Sequence, residues 1–226
     1  MAETKAPRTT RPAAEAAGAT PAAPLRITVL GTGYLGATHA VAMAELGFDV
    51  TGVDTDQSKV DALQAGKVPF FEPGLPELLE KNLATGRLRF TTDVASAVSQ
   101  GDVHFVCVGT PQQRTSHAAD LRFVEAATTA IARHLTKDAV IVGKSTVPVG
   151  TAARLRELVA KEAPAGVEAE LVWNPEFLRE GKAVADTLHP DRIVLGGVSA
   201  KAEATLRQVY AGPIAEGSPV VVTDLP

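Results

Sequence analysis

Apolar and polar residues along this chain fall into short blocks with a recognisable order. The first apolar block, Leu25-Arg26-Ile27-Thr28-Val29-Leu30, is short and rich in β-branched residues, which reads as a strand. A helical stretch follows over roughly Tyr34 to Leu46, stopped by Gly47, and Asp49 to Val53 reads as a second strand. Further apolar runs lie at Val103–Val108, Ala139–Val142, Ala169–Trp173, Ile193–Leu195 and Val220–Val222. Helix-like stretches fill most of the gaps, at Ser58–Ala65, Leu75–Ala84, Phe123–Leu135, Thr151–Lys161 and Ala200–Tyr210. Strands alternating with helices predict right-handed βαβ units and a parallel sheet. Near-continuous apolar strands predict a sheet covered on both faces. There is no internal repeat of fixed period and no heptad run.

The segment Met1 to Pro24 is different material. It is rich in Ala and Pro and contains no Val, Ile, Leu, Phe, Trp or Tyr. Such a segment buries too little apolar surface to offset its ordering entropy, so 1–24 reads as a disordered tail ahead of one domain over 25–226. It has no apolar core of a secretory signal; Arg8 and Arg11 leave a transit peptide as the alternative reading.

Composition narrows the function classes. The chain has 226 residues with 22 basic and 26 acidic side chains, so the net charge is 22 − 26 = −4. A mildly acidic balance argues against sequence-independent nucleic-acid binding. The lone cysteine, Cys107, excludes an internal disulfide and a CxxC metal site and fits a reducing compartment, hence the expectation of a cytoplasmic protein. His39, His104, His117, His134 and His189 show no metal-ligand spacing, so no metal is expected. No apolar run approaches the roughly 20 residues of a membrane span.

Gly31-Thr32-Gly33-Tyr34-Leu35-Gly36 follows the first strand directly and opens the first helix. Gly31 makes the tight turn, Gly33 lets the backbone approach a diphosphate, and Gly36 lets the helix pack against the strand. The diphosphate would rest on open N–H groups at the helix N-terminus, where the dipole is positive. Asp54 closes the second strand, 54 − 36 = 18 residues past Gly36. A carboxylate there accepts from the adenosine ribose 2′-OH and repels a 2′-phosphate, and Asp56 adds to the repulsion, so NAD is favoured over NADP. The fold class expected is α/β: a Rossmann-like doubly wound, mostly parallel sheet with helices on both faces.

Five further segments place polar residues near strand ends, where open α/β sheets bind ligands. They are Val68-Pro69-Phe70-Phe71-Glu72-Pro73-Gly74-Leu75, the Val108-Gly109-Thr110-Pro111 turn, Lys144-Ser145-Thr146-Val147-Pro148-Val149-Gly150-Thr151, Asn174-Pro175-Glu176-Phe177-Leu178-Arg179-Glu180-Gly181 and His189-Pro190-Asp191-Arg192-Ile193-Val194. In this order, and with the glycine-rich turn ahead of them, they resemble the nucleotide-sugar 6-dehydrogenase family. The resemblance runs from Leu25 to the end of the chain. The KSTVPVGT wording is more similar to the UDP-glucose members than to the GDP-mannose ones.

The resemblance implies a chemistry. A sugar C6 alcohol is oxidised twice, to a carboxylate, with two NAD; a cysteine thiolate holds the intermediate aldehyde as a thiohemiacetal, and water hydrolyses the thioester that follows. By the same resemblance Glu176 is the acid/base that positions the water, Glu180 lies near nicotinamide and sugar, and Thr146 stands at the reacting centre. Ser145, Thr110 and Pro111 line the cofactor cleft with Gly31, Gly33, Tyr34, Leu35, Gly36, Asp54 and Lys59. Phe177, Leu178 and Arg179 contact the UDP-sugar, partly through backbone. For Thr110, Pro111 and Ser145 ordinary turn chemistry is the competing reading, and for Lys59 a solvated helix lysine.

Other residues read as structural. Cys107, flanked by Phe105-Val106 and Val108, is a buried strand residue and an inert thiol rather than the nucleophile. Trp173 is core, and Phe70 and Phe71 pack the loop before Glu72. The family's central helix with its lysine and asparagine, and its glycine-rich cysteine segment, have no counterpart in these residues. The expected identity is therefore the cofactor part of a longer enzyme that oxidises UDP-glucose to UDP-glucuronate, able to bind NAD but inactive alone. A UDP-N-acetylhexosamine or GDP-mannose 6-dehydrogenase, or a non-catalytic NAD-binding module, are the alternatives. The expected partners are a UDP-sugar and, for the whole enzyme, a second copy, with no nucleic acid and no membrane.

Overall fold

In the computed structural model, which describes residues 25–113 and 116–225, the β-branched runs pair into a single sheet. The element order is β1 (Arg26–Leu30), α1 (Tyr34–Glu45), β2 (Asp49–Val53), α2 (Gln57–Gln64), α3 (Leu75–Ala84), β3 (Leu88–Thr91), α4 (Val94–Gln100), β4 (Val103–Val106) and α5 (Arg122–His134). It continues with β5 (Ala139–Gly143), α6 (Thr151–Glu162), β6 (Ala169–Trp173), α7 (Ala183–Leu188), β7 (Ile193–Gly196), α8 (Ala200–Val209), α9 (Ala211–Ala215) and β8 (Val220–Thr223).

The strand order is β3-β2-β1-β4-β5-β6-β7-β8. The pairs from β3 to β6 are parallel. β7 runs antiparallel to β6, meeting it at Trp173 and Gly196, and β8 is parallel to β7. The expected doubly wound, mostly parallel sheet is present. The order reverses between β1 and β4, which opens a crevice at the carboxyl ends of those strands.

Strand alternation distributes the core to both faces. Ile27, Val29, Val103 and Phe105 pack with α1, α3 and α8 on one side. Leu30, Val106 and Ile141 pack with α4, α5 and α6 on the other. α1 is buried around most of its surface, from Gly36 to Ala44, so its fit depends on small residues rather than an amphipathic stripe. Three other helices start on a side-chain cap: Asp56 accepts the Ser58 N–H at 2.9 Å, Asp93 that of Ser96 at 3.0 Å and Ser199 that of Ala202 at 3.1 Å.

The sequence reading omitted β3, α4, α7 and α9. They are four to seven residues long, too short for a hydrophobic period to repeat. Elements this short are not stable by propensity and exist because the sheet and its neighbours hold them. Two residue placements also need correction. Cys107 lies just past the end of β4, although its N–H still donates to Leu30 at 2.8 Å and its side chain is buried. Phe71 is 85% exposed and packs nothing, whereas Phe70 sits edge-on to the Tyr34 ring with centroids 5.0 Å apart. The proposed tail at 1–24 lies outside the described residues. Among the described residues no cluster of three His, Cys, Asp or Glu could hold a metal, and no helix is long and apolar enough to cross a membrane.

Candidate functional site

The turn between β1 and α1 is built by its glycines. Gly31 has φ +88° and donates its N–H to Val53 at 2.8 Å, tying the turn to β2. At Gly36 an added Cβ would fall 1.7 Å from the Gly31 carbonyl oxygen, so only glycine lets α1 approach β1. A Cβ at Gly33 would meet nothing within 4 Å: the space over this residue is open. No side chain caps α1, and its first turn holds no acidic residue. Its leading amides, from Tyr34 and Leu35, thus face a helix end without internal partners, which suits a diphosphate.

Asp54 stands beside that end. Its Oδ2 accepts the Thr32 N–H at 2.8 Å and the Thr32 hydroxyl at 3.0 Å, and its Oδ1 accepts the Asp56 N–H at 3.1 Å. The Lys59 ammonium lies 3.8 Å from Oδ2. Asp54, Lys59, Gly31 and Gly33 line a cavity of about 600 Å³ together with Val108, Pro111 and Phe123. The cavity is large enough for an adenosine and open enough to admit one. The residues present therefore fit NAD: an uncapped helix end, a Cβ-free approach and a carboxylate on the ribose side.

The next strand ends are clamped together. The Thr110 hydroxyl donates to the Thr146 carbonyl at 2.8 Å, and the Ser145 hydroxyl to the Val108 carbonyl at 2.6 Å. Ser145 and Thr110 thus hold the turns after β4 and β5 in register, while the Thr146 side chain is exposed. Trp173 is core as expected, and donates its indole N–H to the Ser145 carbonyl at 3.2 Å.

A second, smaller cavity of about 230 Å³ lies under the loop after β6 and is lined by Glu176, Phe177, Leu178 and Arg179. Glu176 Oε2 accepts the Leu178 N–H at 2.6 Å, which fixes the carboxylate on its own turn. The Arg179 guanidinium is engaged by Asp186, at 3.0 and 2.5 Å, so its charge is already paired. Phe177 is half exposed with the Arg192 guanidinium 4.3 Å from its ring centre.

The floor of that cavity holds residues that sequence reasoning did not single out. Lys144 is buried and donates to Asn174 Oδ1 at 3.0 Å; the Tyr210 hydroxyl donates to the same oxygen at 2.5 Å, and Asn174 Nδ2 donates to the Val194 carbonyl at 2.9 Å. Burial pulls the Lys144 ammonium down from 10.5 to about 8, against the attraction of Cys107 and Glu176. Burial pushes the Cys107 thiol up to about 12, so the inert-thiol reading stands on its environment. His39, edge-on to Phe105 at 4.3 Å, is buried with both ring nitrogens lacking a partner among the described residues, and burial and Lys144 push its pKa well down. The signal for Lys144 was a cation at the end of an apolar strand; nothing local marked Asn174 or Tyr210 as its partners.

Glu72 was also missed. It is buried and accepts the Tyr34 hydroxyl at 2.5 Å and the Gly181 N–H at 2.9 Å. Burial and this carboxylate push the Tyr34 phenol up to about 12, with Glu180 also acting on it. Tyr34 and the Glu180-Gly181 turn, far apart in the chain, therefore meet, with the Gly181 N–H 3.3 Å from the Tyr34 oxygen.

The model of the UDP-glucose/GDP-mannose dehydrogenase family, NAD binding domain, matches residues 25–213. A UDP-glucose 6-dehydrogenase of Rhizobium meliloti is 44% identical over 201 residues, which is 88% of this chain and 46% of that protein. The solved UDP-glucose dehydrogenase of Pyrobaculum islandicum is 41% identical with a TM-score of 0.84, over 92% of this chain and 48% of the other. A ternary complex of GDP-mannose dehydrogenase from Pseudomonas aeruginosa is 34% identical with a TM-score of 0.82, over 89% of this chain and 47% of the other. The chain spans about half the length of the curated relatives it matches. It belongs to the UDP-glucose/GDP-mannose dehydrogenase family and carries that family's NAD-binding domain.

Proposed function

From that membership we propose that these residues are the cofactor-binding part of an enzyme that oxidises UDP-glucose to UDP-glucuronate in two NAD-dependent steps. The observation that carries the reading is the Asp54 carboxylate on the wall of a cavity that begins at an uncapped helix end. Gly33, Tyr34 and Leu35 hold the diphosphate through backbone amides, with Gly31 and Gly36 shaping the turn. Asp54 accepts from the adenosine ribose, with Lys59 beside it. Pro111, Thr110, Ser145 and Thr146 line the path toward the reacting end. NAD supplies the hydride acceptor when bound. Glu176 acts as acid/base and water-positioning group, Glu180 meets the cofactor and sugar beside Tyr34, and Phe177, Leu178 and Arg179 hold the UDP-sugar. Arg179 does so by its backbone and stem, since Asp186 occupies its guanidinium. The cysteine nucleophile is not Cys107, whose thiol is held protonated by burial.

A UDP-N-acetylhexosamine or GDP-mannose dehydrogenase is the second reading. The higher identity to the Pyrobaculum islandicum structure than to the GDP-mannose one, 41% against 34%, favours UDP-glucose. The buried lone thiol fits a reducing, cytoplasmic setting, and assembly of the whole enzyme as a dimer or larger is part of the proposal.

Titration of this chain with NADH and NADPH tests the cofactor site. NADH is expected to bind at least about tenfold more tightly; equal affinities would remove Asp54 from its role. The complete gene product, given NAD, is expected to form NADH with UDP-glucose and not with GDP-mannose or UDP-N-acetylglucosamine. NADH formation with GDP-mannose instead selects the second reading, and binding without turnover of any sugar selects a non-catalytic module.

A further inference from the structure

Glu72 joins the glycine-rich turn to the loop after β6. It is 2% exposed and lies on the loop before α3. Its Oε2 accepts the Tyr34 hydroxyl at 2.5 Å and the Gly181 N–H at 2.9 Å, while its Oε1 accepts the Val184 N–H at 3.3 Å. The Tyr34 oxygen also accepts the Gly181 N–H, at 3.3 Å, closing a triangle across 147 residues of sequence. Tyr34 is the first residue of α1, so its backbone is part of the glycine-rich turn. Gly181 follows Glu180 directly, and Val184 lies in the first turn of α7.

The chemistry of this joint is demanding. No lysine or arginine among the described residues forms an ion pair with Glu72. A buried carboxylate served by neutral donors alone is tolerable only while its hydrogen bonds are made. A shift of Tyr34 therefore moves the acceptor or strands it, and Gly181 and Val184 feel the change. Phe70, edge-on to Tyr34, limits where that ring can go.

We propose that Glu72 is a positioning residue that couples the cofactor turn to the loop carrying Glu176 and Glu180, so that a diphosphate seated on the first amides of α1 orders the sugar-side loop through Tyr34. The inference rests on the cofactor reading of the glycine-rich turn. It differs from a plain folding contact in one respect: the loop must respond to a ligand that does not touch it.

ADP-ribose is the probe, because it carries the adenosine and diphosphate but no nicotinamide to reach Glu180 directly. Amide hydrogen exchange at Gly181 and Val184 is measured by NMR with and without saturating ADP-ribose, in the wild type, Tyr34→Phe and Glu72→Gln. Phe keeps the ring against Phe70 and the backbone amide of α1, and saturation removes any change of affinity from the comparison. In the wild type the ligand is expected to slow both amides by about fivefold or more. In both variants the slowing is lost while the glycine-rich turn is still protected. If Glu72→Gln fails to fold, Tyr34→Phe decides alone. Undiminished slowing in Tyr34→Phe overturns the coupling, and so does a wild type that binds ADP-ribose without slowing these amides. A wild type that does not bind ADP-ribose at all overturns the cofactor reading, and the coupling with it.

Discussion

Asp54 accepts from both donors of Thr32, the backbone N–H at 2.8 Å and the hydroxyl at 3.0 Å, through a single carboxylate oxygen. One acid thus closes the glycine-rich turn and lines the cavity beside it. Thr32 is fully buried, so the bond fixes the carboxylate before any ligand arrives.

Replacing the charge while keeping the shape separates these duties. Asp54→Asn is expected to fold, to weaken NADH by roughly tenfold or more, and to narrow the gap to NADPH, since a hydrogen bond to a charged group contributes about 1.5–3 kcal/mol. Fluorescence titration of both nucleotides reads the effect. Unchanged NADH affinity would place the ribose elsewhere.

Gly36 and Gly33 are expected to fail in different ways. Gly36→Ala drives a Cβ to within 1.7 Å of the Gly31 oxygen and should cost about 4 kcal/mol of stability or more, read by urea denaturation. Gly33→Ala meets nothing within 4 Å, so stability should stay within about 1 kcal/mol while NADH binding falls. A stable Gly36→Ala protein would contradict the close approach of α1 to β1.

Lys144 gives stability a pH signature. Its buried ammonium releases its proton near pH 8 when folded, against 10.5 for the ordinary group. The penalty is complete below pH 8, and between the two values the unfolded chain holds more protons, so stability rises with pH. Relative to Lys144→Met, the wild type should gain about 1 kcal/mol between about pH 7.5 and 9. Of the groups facing it, Cys107 and Tyr210, pushed up by burial, and His39, pushed down, titrate outside this window, so the difference reads the ammonium. Parallel stability curves for the two proteins would mean that the ammonium is not desolvated.

Cys107 should resist labelling. With burial holding its thiol at about 12, only about one molecule in ten thousand is a thiolate at pH 8, and the sulfur is covered. Ellman's reagent is expected to react with the native protein only as fast as it unfolds, and at once in denaturant. Rapid native labelling would reopen this residue as a nucleophile.

The alternation of apolar strands and helices, the turn from Gly31 to Gly36 and the acid at Asp54 could be read from the chain because each depends on neighbours within about twenty residues. Periodicity sets which face of an element is buried, and the backbone freedom of glycine sets where the chain can turn. The same local logic reached Glu176 and Glu180 only through the order of the surrounding motifs, and it overstated Phe71, whose apolar side chain points into solvent. What the folded molecule decided depends on contacts across the sheet. The reversal of β7, the seating of β3 and α4, the meeting of Lys144 with Asn174 and Tyr210, and the grip of Glu72 on Tyr34 and Gly181 join residues tens to more than a hundred positions apart. No local pattern specifies such pairs, because each buried charge or short element is stabilised by whichever distant partners the completed core brings to it.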